Sequence, residues 1–220
     1  MTEASARFDR ICATLRDRIC LLDAPPGTRL SEEVLAAEFG TSRTPIRRVL
    51  ARLEAEGLVA VRSGVGSIIT DLDRAEFAQV YALRQELTQL VATLDPVTPT
   101  PAHVARAAEF ETQGDALAAA PDARAFAVLN RDFHDFGLSL TGNAALREVA
   151  ERLYLRTARI WLQAVARMDL GQECAIFADE IRQTHAALRA GDARAAALIR
   201  RSHISMSAAR LAQVPAPAAG

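Results

Sequence analysis

Residues 41–50 read TSRTPIRRVL, and the direction in which their arginines point decides what kind of chain this is. On a helix over residues 42–56, at about 100° per residue, Ile46, Val49, Leu50 and Leu53 fall in one stripe, as on a buried face. Arg43, Thr44, Arg47, Arg48 and Arg52 occupy the remaining arc. Pro45 lies in the first turn, where a missing N–H has no helical partner to lose, so it starts this helix instead of breaking it. Taken alone, the helix suits a solvated arginine face as well as a surface for a negative partner. Its flanks separate the two.

Upstream, Phe8, Ile11, Leu15, Ile19 and Leu22 recur at helical spacing, which predicts an amphipathic helix over residues 5–22. DAPPGTRL (23–30) ends it with two prolines and a glycine, leaving a short extended piece near Thr28–Leu30. Ser31 is placed to cap a helix over SEEVLAAEFG (31–40), with acids in its first turn and Gly40 as its stop. Downstream, LVAVR and SIIT flank a glycine-bearing turn and read as a β-hairpin. Two helices across a tight turn, arginines near the start of the second, then a hairpin: this is the order of a winged helix-turn-helix. Its second helix enters the major groove, where arginine bonds guanine bidentately.

The stretch from PPGTRL through SRTPIRRVLARLEAEGLV to the SGVG wing, some 60 residues, resembles the DNA-binding domain of the GntR family of bacterial transcription regulators. The resemblance implies that Arg43 and Arg47 read base edges and that Ser42 and Thr44 anchor phosphates, with Arg48 on the same basic face. It also implies that Ser63 and Gly64, at the wing tip, approach the minor groove. Many members carry an arginine where this chain has Glu33, a departure that removes one backbone contact from the pattern.

Composition frames the rest. The 220 residues allow one or two domains, and half are apolar with only 5% aromatic, which favours helices over sheets. All 26 basic residues are arginines, as a codon bias toward arginine and alanine would give. The net charge of −1 means that any nucleic-acid site must be local. Up to residue 70 there are ten arginines against nine acids, and five of the ten (Arg43, Arg47, Arg48, Arg52, Arg62) cluster. Three cysteines at unhelpful spacings argue against a disulfide framework. No signal core opens the chain and no apolar run reaches ~18 residues, so the expectation is a soluble cytoplasmic protein without a membrane partner.

After Thr70 the pattern is helical throughout. Breaks at 95–101, 120–122, 141–143, 169–171 and 190–192 divide it into six helices of roughly 15 to 25 residues, a bundle with short loops. The fold class is therefore mainly α: an N-terminal winged helix-turn-helix (5–71), a C-terminal all-α helical bundle (72–213) and a disordered tail (214–220).

The four histidines all fall in the bundle. Asn130 and His134 lie together along the edge of the stripe Phe126, Leu129, Phe133, Phe136; His185 has the same edge position beside Phe177, Ile181 and Leu188; His203 points inward; His103 starts its helix. None of these spacings makes a local ligand motif, so isolated core histidines remain the plain reading. Arg84 sits mid-stripe among Phe77, Val80, Leu87 and Val91, and a buried guanidinium needs an anion: an internal acid on a neighbouring helix, Glu86 of the partner subunit, or a ligand's carboxylate. Arg156 is a second, weaker candidate for that role.

VLNRDFHDFGLSLTGNAAL, EIRQTHAALRAGDARAAALIRRSHI and YALRQEL resemble the FCD domain, the effector-binding bundle of the FadR-type branch, and six helices match its VanR-like subgroup. That resemblance implies a divalent metal held by Asn130, His134, His185 and His203, with asparagine in place of the stronger carboxylate. Zinc suits such a site first, and nickel, manganese or iron also. It further implies a small organic-acid effector, a homodimer and operator DNA as partners; that no catalysis is expected has a separate ground in the residues. No HExxH pattern or general base accompanies the histidines. A metal-dependent enzyme and a pure metal sensor on the same three-histidine pocket are the alternatives.

Overall fold

The computed structural model describes residues 3–72 and 74–214. Of the tail expected to be disordered, only Val214 is among them; 215–220 lie outside the described residues. The chain divides into two compact units between residues 73 and 74.

The first unit runs α1 (Glu3–Cys20), β1 (Arg29–Leu30), α2 (Glu32–Glu38), α3 (Arg43–Ala55), β2 (Val59–Arg62) and β3 (Gly66–Ile69). Ser31 caps α2, its hydroxyl accepting from the Val34 N–H, and Gly40 at φ +58° makes the turn into α3. The predicted stripe Ile46, Val49, Leu50 and Leu53 is buried and packs with Ile11, Leu15, Ile19 and Leu35 as the core of this unit. The strands form an antiparallel sheet in the order β1-β3-β2, with Val59 opposite Ile69 and Arg62 opposite Gly66. A three-residue loop, Ser63 to Val65, closes the β2–β3 hairpin, and Gly64 at φ +75° supplies the left-handed residue such a loop needs.

The second unit holds six α-helices of 16 to 21 residues: α4 (Arg74–Leu90), α5 (Pro101–Ala119), α6 (Ala123–Leu138), α7 (Ala144–Ala164), α8 (Leu170–Arg189) and α9 (Ala193–Gln213). Four starts are set by local chemistry: Asp122, Asn143, Asp169 and Asp192 each accept from the backbone N–H three residues on. His103 completes a capping box with Thr100 at the start of α5. Helix α4 stops at Leu90, short of the predicted 94. Residues 91–93 tighten into three-residue hydrogen bonds, and the chain then reverses at Asp95 (φ +52°) ahead of Pro96. Phe110, Phe126, Phe133, Phe136, Trp161 and Phe177 form the aromatic centre of the core. Cys12 and Cys20 are buried in the first unit and Cys174 in the second; burial pushes the thiols of Cys12 and Cys174 up. No helix among the described residues is long and apolar enough to cross a membrane.

Candidate functional site

The first half of α3 carries the candidate nucleic-acid surface. Arg43, Thr44, Arg47 and Arg48 are exposed, because the core claims the opposite face. Ser42 sits at the N-cap position but its side chain makes no capping bond. Arg43 and Arg47 both donate to Glu32 of α2, Arg43 from Nη2 at 3.1 Å and Arg47 from Nε at 2.9 Å. Hydrogen bonding from Arg47 foremost, joined by Arg43, holds the Glu32 carboxyl below its ordinary range, desolvation opposing them. Arg48 lies with its guanidinium 5.4 Å from the centre of the Phe8 ring, and Arg52 bonds Glu56 at 2.7 Å, so the basic arc is shared between outward and internal partners. Ser63 and Gly64 are exposed at the hairpin tip.

In the second unit a cavity enclosing about 580 Å³, part of it open to solvent, is lined from α4, α6, α7, α8 and α9. Arg84 lines it and is 7% exposed. Its Nη1 donates to Thr157 Oγ1 at 2.7 Å, and its guanidinium lies 4.8 Å and 5.2 Å from the rings of Tyr81 and Tyr154. The internal acid that one sequence reading allowed is absent among the described residues. Burial consequently pushes the Arg84 guanidinium below its ordinary value. Across the cavity Arg200 donates from Nη1 to Glu180 at 2.6 Å and from Nη2 to Asn130 Oδ1 at 2.9 Å. Arg210 holds Glu173 with bonds of 2.6 and 2.9 Å. The Nδ1 of His203 and the Nε1 of Trp161, both in residues lining the cavity, are buried without hydrogen-bond partners among the described residues.

The four residues expected to share a metal are not brought together. Asn130 is engaged by Arg200, and His185 turns to Glu111 of α5. His203 Nδ1 stands 3.8 Å from Glu180, beyond hydrogen-bonding reach. His134 stacks on Tyr154 at 4.1 Å, and burial, aided by the charges of Arg84 and Arg200, pushes it well below its ordinary value, which leaves it neutral. Among the described residues the only metal-competent group with donor atoms within 4.8 Å of one another is His134, Asp135 and Glu151. Arg156 pairs with Glu76 and does not line the cavity. Sequence reasoning missed Glu32, Glu180 and Arg200. The last two were open to the rule that found Arg84: Arg200 lies one turn from buried Ala196 and Ile204, and Glu180 one turn from Phe177 and Thr184.

Residues 8–69 match the bacterial regulatory proteins of the gntR family, and residues 79–206, more than half of the chain, match the FCD domain. An uncharacterized HTH-type transcriptional regulator from an unstable DNA locus of Streptomyces ambofaciens is 40% identical over 103 residues, covering 44% of each chain. The chain therefore spans less than half the length of that relative. The Nta operon transcriptional regulator of Aminobacter aminovorans is 30% identical over 146 residues, 64% of this chain and 68% of that one. In fold, E. coli McbR/YncC superposes with a TM-score of 0.82 at 21% identity, covering 97% of this chain and 99% of that one. With both units matched in chain order, the protein belongs to the GntR family of bacterial regulatory proteins and carries an FCD domain.

Proposed function

We propose that the chain is a DNA-binding transcriptional regulator acting as a repressor in the cytoplasm. It works as a homodimer whose two winged units straddle a pseudo-palindromic operator. The observation that carries this reading is α3: its apolar face is wholly buried while Arg43, Thr44 and Arg47 stand outward at its N-terminal end, beside an exposed wing tip. Repression asks only that the operator be occupied. A small organic acid bound in the FCD cavity, with Arg84 as its anchor, shifts the dimer between arrangements to which it binds with different affinity. Unpaired, buried Arg84 supports that role; Arg156, tied to Glu76, lacks the same support.

The residues present do not fit a metal shared by Asn130, His134, His185 and His203, because the asparagine oxygen already accepts from a guanidinium and the imidazoles do not converge. The readings of a metal sensor or a metal-dependent enzyme in that pocket need the same convergence.

The test is selection of bound sequences from random duplex DNA at near-physiological salt, with an Arg43→Ala/Arg47→Ala protein run alongside. The wild type is expected to yield a palindromic motif that the variant does not. Either single change is expected to weaken specific binding roughly ten- to hundred-fold. Recovery of the same motif by both proteins would remove the groove assignment.

A further inference from the structure

The charges lining the FCD cavity do not balance. Among the described residues they come from three arginines, Arg84, Arg200 and Arg210, and two glutamates, Glu173 and Glu180. Arg200 is matched by Glu180 and Arg210 by Glu173. Arg84 is left over: among the described residues it meets the Thr157 hydroxyl, a side-chain hydrogen bond with Tyr81 and the rings of Tyr81 and Tyr154, all neutral. Neutral partners of this kind do not repay the desolvation of a cation. The cavity is thus one negative charge short.

We infer that this bundle binds a monocarboxylate with an apolar body and does so without a metal ion, the carboxylate resting on Arg84 while Arg200 bridges Glu180 and Asn130 and so occupies an expected metal ligand. A divalent ion would deepen the charge imbalance and meet an asparagine oxygen already committed to Arg200. The apolar body follows from the aromatic part of the walls, where Phe126 stacks on Trp161 at 3.7 Å with Phe177 4.8 Å from Phe126; among the described residues lining the cavity no further arginine lacks an acid to offer a second carboxylate. The inference rests on reading this unit as the effector domain. Its tests need no DNA, so it can fail while operator binding stands.

Three measurements on the full chain decide it. In thermal unfolding without ligand, Arg84→Met is expected to hold or raise Tm, because it removes an unmatched buried cation. Arg200→Met, which strands Glu180, is expected to lower Tm by several degrees. Equal losses from the two would overturn the charge count. Elemental analysis of untagged protein, purified without chelator, is expected to find far less than one metal ion per chain; one per chain, lost in His134→Ala, overturns the metal-free reading. Finally, benzoate is expected to raise the Tm of the wild type, equally with and without EDTA, and not that of Arg84→Met. Phthalate, the same ring with two carboxylates, is expected to have no such effect. A phthalate shift as large as that of benzoate, a benzoate shift abolished by EDTA, or no shift from benzoate, butyrate or hexanoate would each sink the proposal.

Discussion

Both carboxylate oxygens of Glu32 lie 2.9 Å from Nε of Arg47, so an acid of α2 already occupies an arginine that α3 offers outward. Arg43 shares the same carboxylate. DNA must displace Glu32 to engage either one, and a lone phosphate gains less from that exchange than a guanine edge taken bidentately. Glu32→Gln is expected to tighten binding to random-sequence duplex several-fold while changing operator binding less, narrowing the specificity ratio. Anisotropy titrations at two salt concentrations measure both. Equal tightening on the two duplexes would deny Glu32 this role.

Glu173 has a side chain only 5% exposed and is held by both forks of Arg210. Arg210→Met strands a buried carboxylate and is expected to cost ~3 kcal/mol in urea unfolding. Adding Glu173→Gln is expected to restore most of the loss. If the double variant is as unstable as the single, packing and not charge explains the cost.

The carboxyl of Asp135 is pushed up to about 6 from an ordinary 3.8, first by burial and next by the neighbouring carboxylate of Glu151. The folded chain therefore binds this proton more tightly than the unfolded chain does. Its stabilising contribution is full below the unfolded value and is lost as pH rises through about 6. Asp135→Asn is expected to raise Tm near pH 7.5 and to give no gain near pH ~4. The carboxyl is partly exposed, so the gain is small. An equal gain at both pH values would contradict the assignment.

Helices α5 and α8 meet at Gly114, where a Cβ would stand 3.2 Å from Ile181 Cδ1 and 3.4 Å from Ala178 Cα. Gly114→Val is expected to cost ~1–3 kcal/mol by overpacking. Gly137 of α6 has nothing within 4 Å of its would-be Cβ. Gly137→Ala is therefore expected to stabilise by up to ~1 kcal/mol. Opposite signs in calorimetry are the expected result.

The elements were legible where the signal is local. Ser31 as a cap, the α3 stripe and the breaks between the bundle helices all depend on residues within a turn or two of one another. Arg84 was legible as a buried cation for the same reason, since four apolar neighbours on its own helix give its direction. Periodicity did not tell which neighbouring helix an edge residue faces. His185 lies beside a buried stripe as predicted, yet it leans toward Glu111, 74 positions away in sequence, instead of into the cavity. The engagement of Asn130 by Arg200 spans 70 positions and has no local trace. Where the expected metal set depended on three helices agreeing on one point, sequence spacing had no information about that point.

The three buried thiols carry a practical consequence. With Cys12 and Cys20 enclosed in one unit and Cys174 in the other, an alkylating reagent reaches them only when the surrounding structure opens. Their modification rates, resolved by mass in a single sample, therefore time the breathing of the winged unit and of the helical bundle separately. The wild-type chain contains its own pair of unfolding clocks, one for each half.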